Sequence, residues 1–211
     1  MHLEYDLYAR GIRLVFRGSF RRQLTVSLGE QNARQVMGKT QPLYRDIVLH
    51  SPSIGGRENP NIMNVLVAAL VAAIYIAADG KLSSERMGEV FSNAVEQATA
   101  FKLFARFTGK RNFTRHWQDK RHAWAVASQG KVHPADFVSA FVYGKTVNEY
   151  GINYRECGIC KLLQREDCAE LAPQLCKFDY VTAKYMGCTL TRTKTIANGD
   201  EMCDFWFSKN F

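Results

Sequence analysis

Hydrophobic positions recur with helical spacing from about Tyr5 to Leu49: Leu7, Ile12, Val15 and Phe16 first, then Val36, Leu43 and Ile47. Arg10, Arg13, Arg17, Arg21 and Arg22 fall on other sides of the same stretch, which therefore reads as amphipathic helix. Ser51-Pro52-Ser53-Ile54-Gly55-Gly56 breaks the pattern into a loop. The next helix is predicted with Asn59 as its cap, Pro60 in its first turn and Gly80 just past its end. Its unbroken apolar run, Val65 to Ala78, falls short of the ~20 residues of a membrane span and predicts a buried central helix. Ser83 or Ser84 caps a further helix, with Glu85 in its first turn, running through Val90, Phe91, Val95, Phe101 and Phe104.

The period changes in the last third. Asp136 to Tyr143 reads as a strand, and Tyr150 to Tyr154 returns as a second one after a loop containing Gly144. Helical spacing resumes at Cys157 through Ile159, Leu162 and Leu163, and Pro173 opens another helix, Gln174 to Met186. Asn198-Gly199 then sits between two strand-like runs, the dipeptide suited to a two-residue type I′ turn. That turn would set Ile196 opposite Glu201 and Arg192 opposite Phe205, placing Arg192, Lys194, Cys203 and Phe205 on one face. Thr191, Thr193, Thr195, Asp204 and Trp206 would share the other face. The prediction is one α+β domain over residues 1–211. Residues 1–130 form its mainly helical half, packed on a small, mainly antiparallel sheet in a strand-strand-helix-helix-strand-strand module over 131–211.

Composition is that of an ordinary globular domain, 46% hydrophobic and 23% charged, with no linker and no internal repeat. The start of the chain is acidic and mixed, which argues against a secretory signal or a transit peptide, and the expected compartment is the cytosol with reduced thiols. A net charge of +8 calls for a partner class. Its densest part, Arg106 to Arg121, interleaves cations with Phe107, Phe113 and Trp117, but no nucleic-acid motif accompanies it. It reads as a solvated helix end and loop with its aromatics packed inward, or as a field that steers a small anionic substrate. Nucleic acid and membrane are therefore not expected as partners, and a homo-oligomer is compatible with the sequence.

Cys203 would lie beside two cations on the predicted hairpin, an environment that exposes thiolate. Cys176 and Asp179 are three apart on one helix and share a face; a carboxylate alone would raise the thiol pKa, and Arg192 or Lys194 would supply the compensating cation. Cys157, Cys160, Cys168 and Cys176 form C-x2-C-x7-C-x7-C. C-x2-C is a common half-site for zinc, but the long gaps match no familiar zinc or iron–sulfur spacing, so no cofactor is expected and metal is the alternative. Cys168 and Cys188 read as buried structural thiols. His2, His50, His116, His122 and His133 show no metal-pair spacing, and Ser53-Ile54-Gly55-Gly56-Arg57 is no phosphate loop.

Taken in order, Cys160, Cys176-Lys177-Phe178-Asp179, Arg192-Thr193-Lys194-Thr195-Ile196-Ala197-Asn198-Gly199 and Cys203-Asp204-Phe205 resemble the signature of the L-2-amino-thiazoline-4-carboxylic acid hydrolase family. The resemblance is strongest over about residues 150–207 and extends more loosely to Gly55-Gly56, Asn59 and the Ala-rich helix. It implies ring-opening hydrolysis of a small cyclic amidine-like substrate at a C–N or C–S bond. On that expectation a thiolate from Cys203 or Cys176 attacks the amidine carbon, and Asp179 or Asp204 moves the protons. Arg192 holds a substrate carboxylate in a two-pronged contact, and Thr193 and Thr195 donate hydrogen bonds. The alternative is a non-catalytic small-ligand or zinc- or iron-binding module using the same cysteine-rich pocket.

Overall fold

A computed structural model describes residues 2–210. Its helical part opens with α1 (Leu7–Leu28), α2 (Glu30–His50), α3 (Ile62–Ala78), α4 (Ser84–Gln97), α5 (Thr99–Asn112) and α6 (Arg115–Ser128). Strands β1 (Val138–Tyr143) and β2 (Glu149–Glu156) follow, then α7 (Gly158–Arg165), α8 (Ala172–Met186), β3 (Cys188–Thr191) and β4 (Cys203–Lys209). The α+β class is as predicted, helices first and strands last. The predicted helix over 5–49 is two helices, because the chain turns at Gly29 with φ 79°, a conformation that side chains with a Cβ rarely adopt. The helix predicted through Phe104 is likewise two, broken at an extended Ala98.

Caps account for the other boundaries. Asp6 accepts from the Tyr8 and Ala9 amides at the head of α1, and the Ser83 hydroxyl accepts from the Arg86 amide at the head of α4. Asn59 acts just before α3: its Oδ1 accepts from the Asn61 amide while its Nδ2 donates to the Ile54 carbonyl and to Asp136. α3 is the buried axis; Val65, Leu66 and every residue from Ala68 to Ile74 are shielded from water. Its alanines let α1, α2, α4 and α7 close around it, which explains why so apolar a segment is a core helix. No helix among the described residues is long and apolar enough to cross a membrane.

The four strands form one antiparallel sheet in the order β1-β2-β4-β3. One face carries Phe141, Tyr150, Ile152, Phe205, Phe207, Cys188 and Leu190, which pack with Phe113 and Ala125 as a second core under α5, α6 and the end of α8. Tyr150 is stacked between Phe141 and Phe207 at 5.6 and 5.1 Å.

The C-terminal hairpin departs from expectation at its turn. Thr191 pairs with Trp206 and Leu190 with Phe207, the register that the two-residue turn implied, but the ladder stops at Thr191. Beyond it, side chains take the backbone donors. Asp204 accepts from the amides of Thr193 and Lys194 at 2.9 and 2.6 Å and from the Thr193 hydroxyl, and Asp200 accepts from the Thr195 amide. Such local bonds compete with a strand ladder. The chain then turns through a single 3-10 turn, Ile196–Asn198, and only Gly199 takes positive φ, which excludes type I′.

Candidate functional site

Six helices line a cavity of about 480 Å³. α1 contributes Ile12 and Phe16, α3 contributes Met63, α4 contributes Phe91, α5 contributes Phe101, α7 contributes Ile159, and α8 contributes a stripe at helical spacing, Leu175, Phe178, Asp179, Thr182 and Met186. Leu7, Val15 and Phe104 line the cavity and are also exposed, which places them at its mouth. At one end of the cavity α5 and α8 touch: a Cβ on Gly109 would stand 2.0 Å from the Met186 carbonyl oxygen. Among the described residues, Asp179 is the only charged one in the wall, and the Thr108 hydroxyl, also in the wall, is buried without a partner.

Asp179 and Arg192 form the polar centre. Arg192 Nη1 donates to Asp179 Oδ2 at 2.6 Å, and Nη2 donates to the Cys176 carbonyl at 3.0 Å. The guanidinium lies over the rings of Tyr180 and Phe205, 5.2 and 5.0 Å from their centroids. Its side chain is 6% exposed, whereas that of Asp179 is 39% exposed, because Asp179 faces the hollow while protein surrounds it at depth. Burial pushes the Asp179 carboxyl up to about 6, against the opposing charge and hydrogen bond of Arg192. Arg192 does not itself reach the cavity wall; it holds Asp179 from behind. The other carboxylate oxygen has no hydrogen-bond partner among the described residues and faces the cavity.

The predicted hairpin grouping brings Cys203, Phe205 and Arg192 together as expected, but Lys194 points away to Glu201 at 3.3 Å. The surroundings of these thiols oppose their ionisation. Burial, followed by the neighbouring Asp179 charge, pushes the Cys176 thiol up to about 12 despite Arg192. Cys203 is raised to about 11 by burial, against the Ile196 amide that donates to its sulfur at 3.3 Å. Cys157 is pushed well up by its hydrogen bond with Cys160 and then by burial. One guanidinium, shared with a carboxylate, does not offset that much lost solvation.

The other predicted residues divide by position. Asp204, Thr193 and Thr195 build the β3–β4 loop rather than the cavity wall. Burial raises Asp204, but the bonds from Thr193 and Lys194 outweigh it and hold the carboxyl below its usual range. Of the alternative metal set, Cys157, Cys160 and Cys176 cluster behind Asp179. Cys168 stands apart, donating to the Glu166 carbonyl at 3.1 Å among Glu166, Asp167 and Glu170. No three His, Cys, Asp or Glu side chains among the described residues are arranged to hold a metal ion. In the basic segment Phe113 is buried and Trp117 packs on Tyr150 at 5.3 Å, while Phe107 is exposed. Arg121 is a buried member of that segment, set over Trp117 and Trp124 and donating to the Tyr154 hydroxyl at 3.0 Å. The cavity itself has no local motif; the α8 stripe, one carboxylate among apolar positions, was its one trace in the sequence.

Residues 63–207 match the protein family described as L-2-amino-thiazoline-4-carboxylic acid hydrolase. No curated protein and no solved structure matches the chain.

Proposed function

The chain belongs to the L-2-amino-thiazoline-4-carboxylic acid hydrolase family, and from that premise we propose that it hydrolyses a small cyclic amidine-like substrate in the six-helix cavity, with Asp179 as the acid–base group. The observation that carries this is a carboxyl raised to about 6 in the wall of an apolar hollow, with one oxygen held by a buried arginine and the other free. Ionised Asp179 takes a proton from water as the water oxygen bonds to the amidine carbon, and passes it to the amidine nitrogen, which takes up the C=N π pair. The remaining hydroxyl proton then passes through Asp179 to the departing ring atom as the C–N or C–S bond breaks and the C=O forms, and Asp179 is left as it began. The apolar wall offers the amidine no competing charged partner. Arg192 is a positioning residue: it fixes the carboxylate oxygen it holds and limits how far burial raises the carboxyl. The basic residues of α1 and α5 favour the approach of an anionic substrate to the mouth.

Water is the nucleophile in this reading. With Cys176 raised to about 12, only about one thiol in 10⁵ is ionised at pH 7. Hydrolysis of L-2-amino-thiazoline-4-carboxylate, followed as loss of substrate on a column, tests the assignment. Asp179→Asn should lower kcat/KM by about 10²-fold or more, while Cys176→Ser and Cys203→Ser each stay within about tenfold of the parent. Undiminished hydrolysis in Asp179→Asn would remove the acid–base role; its abolition in either Ser variant would make a thiol the nucleophile.

A further inference from the structure

α1 and α5, which flank the cavity mouth, together carry nine of the chain's 28 basic residues and none of its 20 acidic ones. The remainder of the chain, with 19 basic against 20 acidic residues, is close to neutral, so the net positive charge belongs to these two helices. Among the described residues only Arg21 of the nine meets a carboxylate, that of Glu30. The same helices expose large apolar side chains. Leu103, Phe104 and Phe107 share one face of α5, with Leu103 62% and Phe107 65% exposed. Leu7 and Leu14 share a face of α1 with Arg10 and Arg21 and are also exposed.

We propose that this rim docks on the surface of an anionic lipid bilayer, with the cavity mouth turned toward the lipid. Apolar side chains flanked by cations are what an interfacial surface requires: the former enter the headgroup boundary and the latter meet anionic heads. A second copy of the chain is disfavoured as the occupant, because a two-fold contact would set one cationic face against another. Single-stranded nucleic acid would use the charge but not the exposed aliphatic residues Leu7, Leu14, Val15 and Leu103. Spanning a bilayer and lying on one are separate matters, and the absence of a spanning helix among the described residues bears only on the first. The hydrolytic reading uses the same mouth for a small anionic substrate, but vesicle binding is read without it.

The test is sedimentation of the full chain with vesicles of phosphatidylcholine alone, or with about one-third phosphatidylserine, at about 0.1 M salt. The chain should pellet with the anionic vesicles only, and at about 0.5 M salt binding should weaken at least about tenfold. Leu103→Ser with Phe107→Ser replaces two exposed residues that do not line the cavity, so the fold should be kept, as read by circular dichroism. That variant should bind the anionic vesicles at least about tenfold more weakly and heparin as before. Three outcomes would overturn the proposal: no association with anionic vesicles, vesicle binding unchanged in the double variant, or a dimer in sedimentation velocity that the double variant abolishes.

Discussion

Replacing Arg192 with Met removes the cation behind Asp179 while keeping much of the aliphatic packing between Tyr180 and Phe205. Two charges about 4 Å apart near a protein surface interact by about 4 kcal/mol. Because Asp179 faces the cavity at 39% exposure, solvent screening reduces that to about 2 kcal/mol. The Cys176 carbonyl loses a donor at 3.0 Å, worth about 1 kcal/mol. Because the carboxyl can take up a proton at pH 7 once the cation is gone, about 1 kcal/mol of the charge loss remains there, and the total of about 2 kcal/mol corresponds to a fall in Tm of about 4–8 °C for a domain of this size. The same loss of about 2 kcal/mol of charge interaction raises the Asp179 carboxyl by about 1.5 pH units, from the present value of about 6. Calorimetry at pH 7 reads the first consequence, and the pH dependence of kcat/KM reads the second. A Tm within about 2 °C of the parent with an unmoved inflection would refute the view that Arg192 sustains the carboxylate.

Gly109→Ala should cost about 2–4 kcal/mol in denaturant unfolding, because the new Cβ meets backbone, the Met186 carbonyl, and α5 must move off α8. Asp204→Asn should lower Tm by a few degrees and loosen the β3–β4 loop, seen as faster amide exchange at Thr193 and Lys194, since its carboxylate organises three donors there. Cys168, Cys176, Cys188 and Cys203, all raised to about 11 or 12, should react with iodoacetamide at pH 7.5 far more slowly in the folded protein than after unfolding. Asp179 holds its proton to about 6 when folded, against 3.8 as its ordinary value. Its contribution to stability is therefore full below about pH 4 and lost as pH rises through 6, a slope that Asp179→Asn should lack in urea titrations.

Much of this fold could be read from spacing. The apolar run of α3, the Ser83 cap and the switch to strands after Asp136 each follow from local pattern, and each stands in the structure. Breaks set by a single residue, at Gly29 and Ala98, were invisible because hydrophobic period continues across them. The hairpin shows where local rules lose to long-range chemistry. Asn198-Gly199 names a turn, but Asp204, five residues beyond Gly199, reaches back to take the donors of Thr193 and Lys194 and ends the ladder early. Cys176 beside Asp179, with Arg192 in reach, was legible from helical spacing and strand alternation. The thiols' protonation was not, since it depends on how deeply the packed elements bury them. The cavity was least legible of all, being the space left between six helices.

The central claim is that Asp179, ionising near 6 inside an apolar hollow, moves the protons of hydrolysis. The pH profile of kcat/KM for L-2-amino-thiazoline-4-carboxylate tests it most directly. The profile should rise with pH through about 6 and level off above, and the residual activity of Asp179→Asn should show no such rise. A profile flat across pH 5–8 in the parent, or an inflection near 6 that survives in Asp179→Asn, would contradict it.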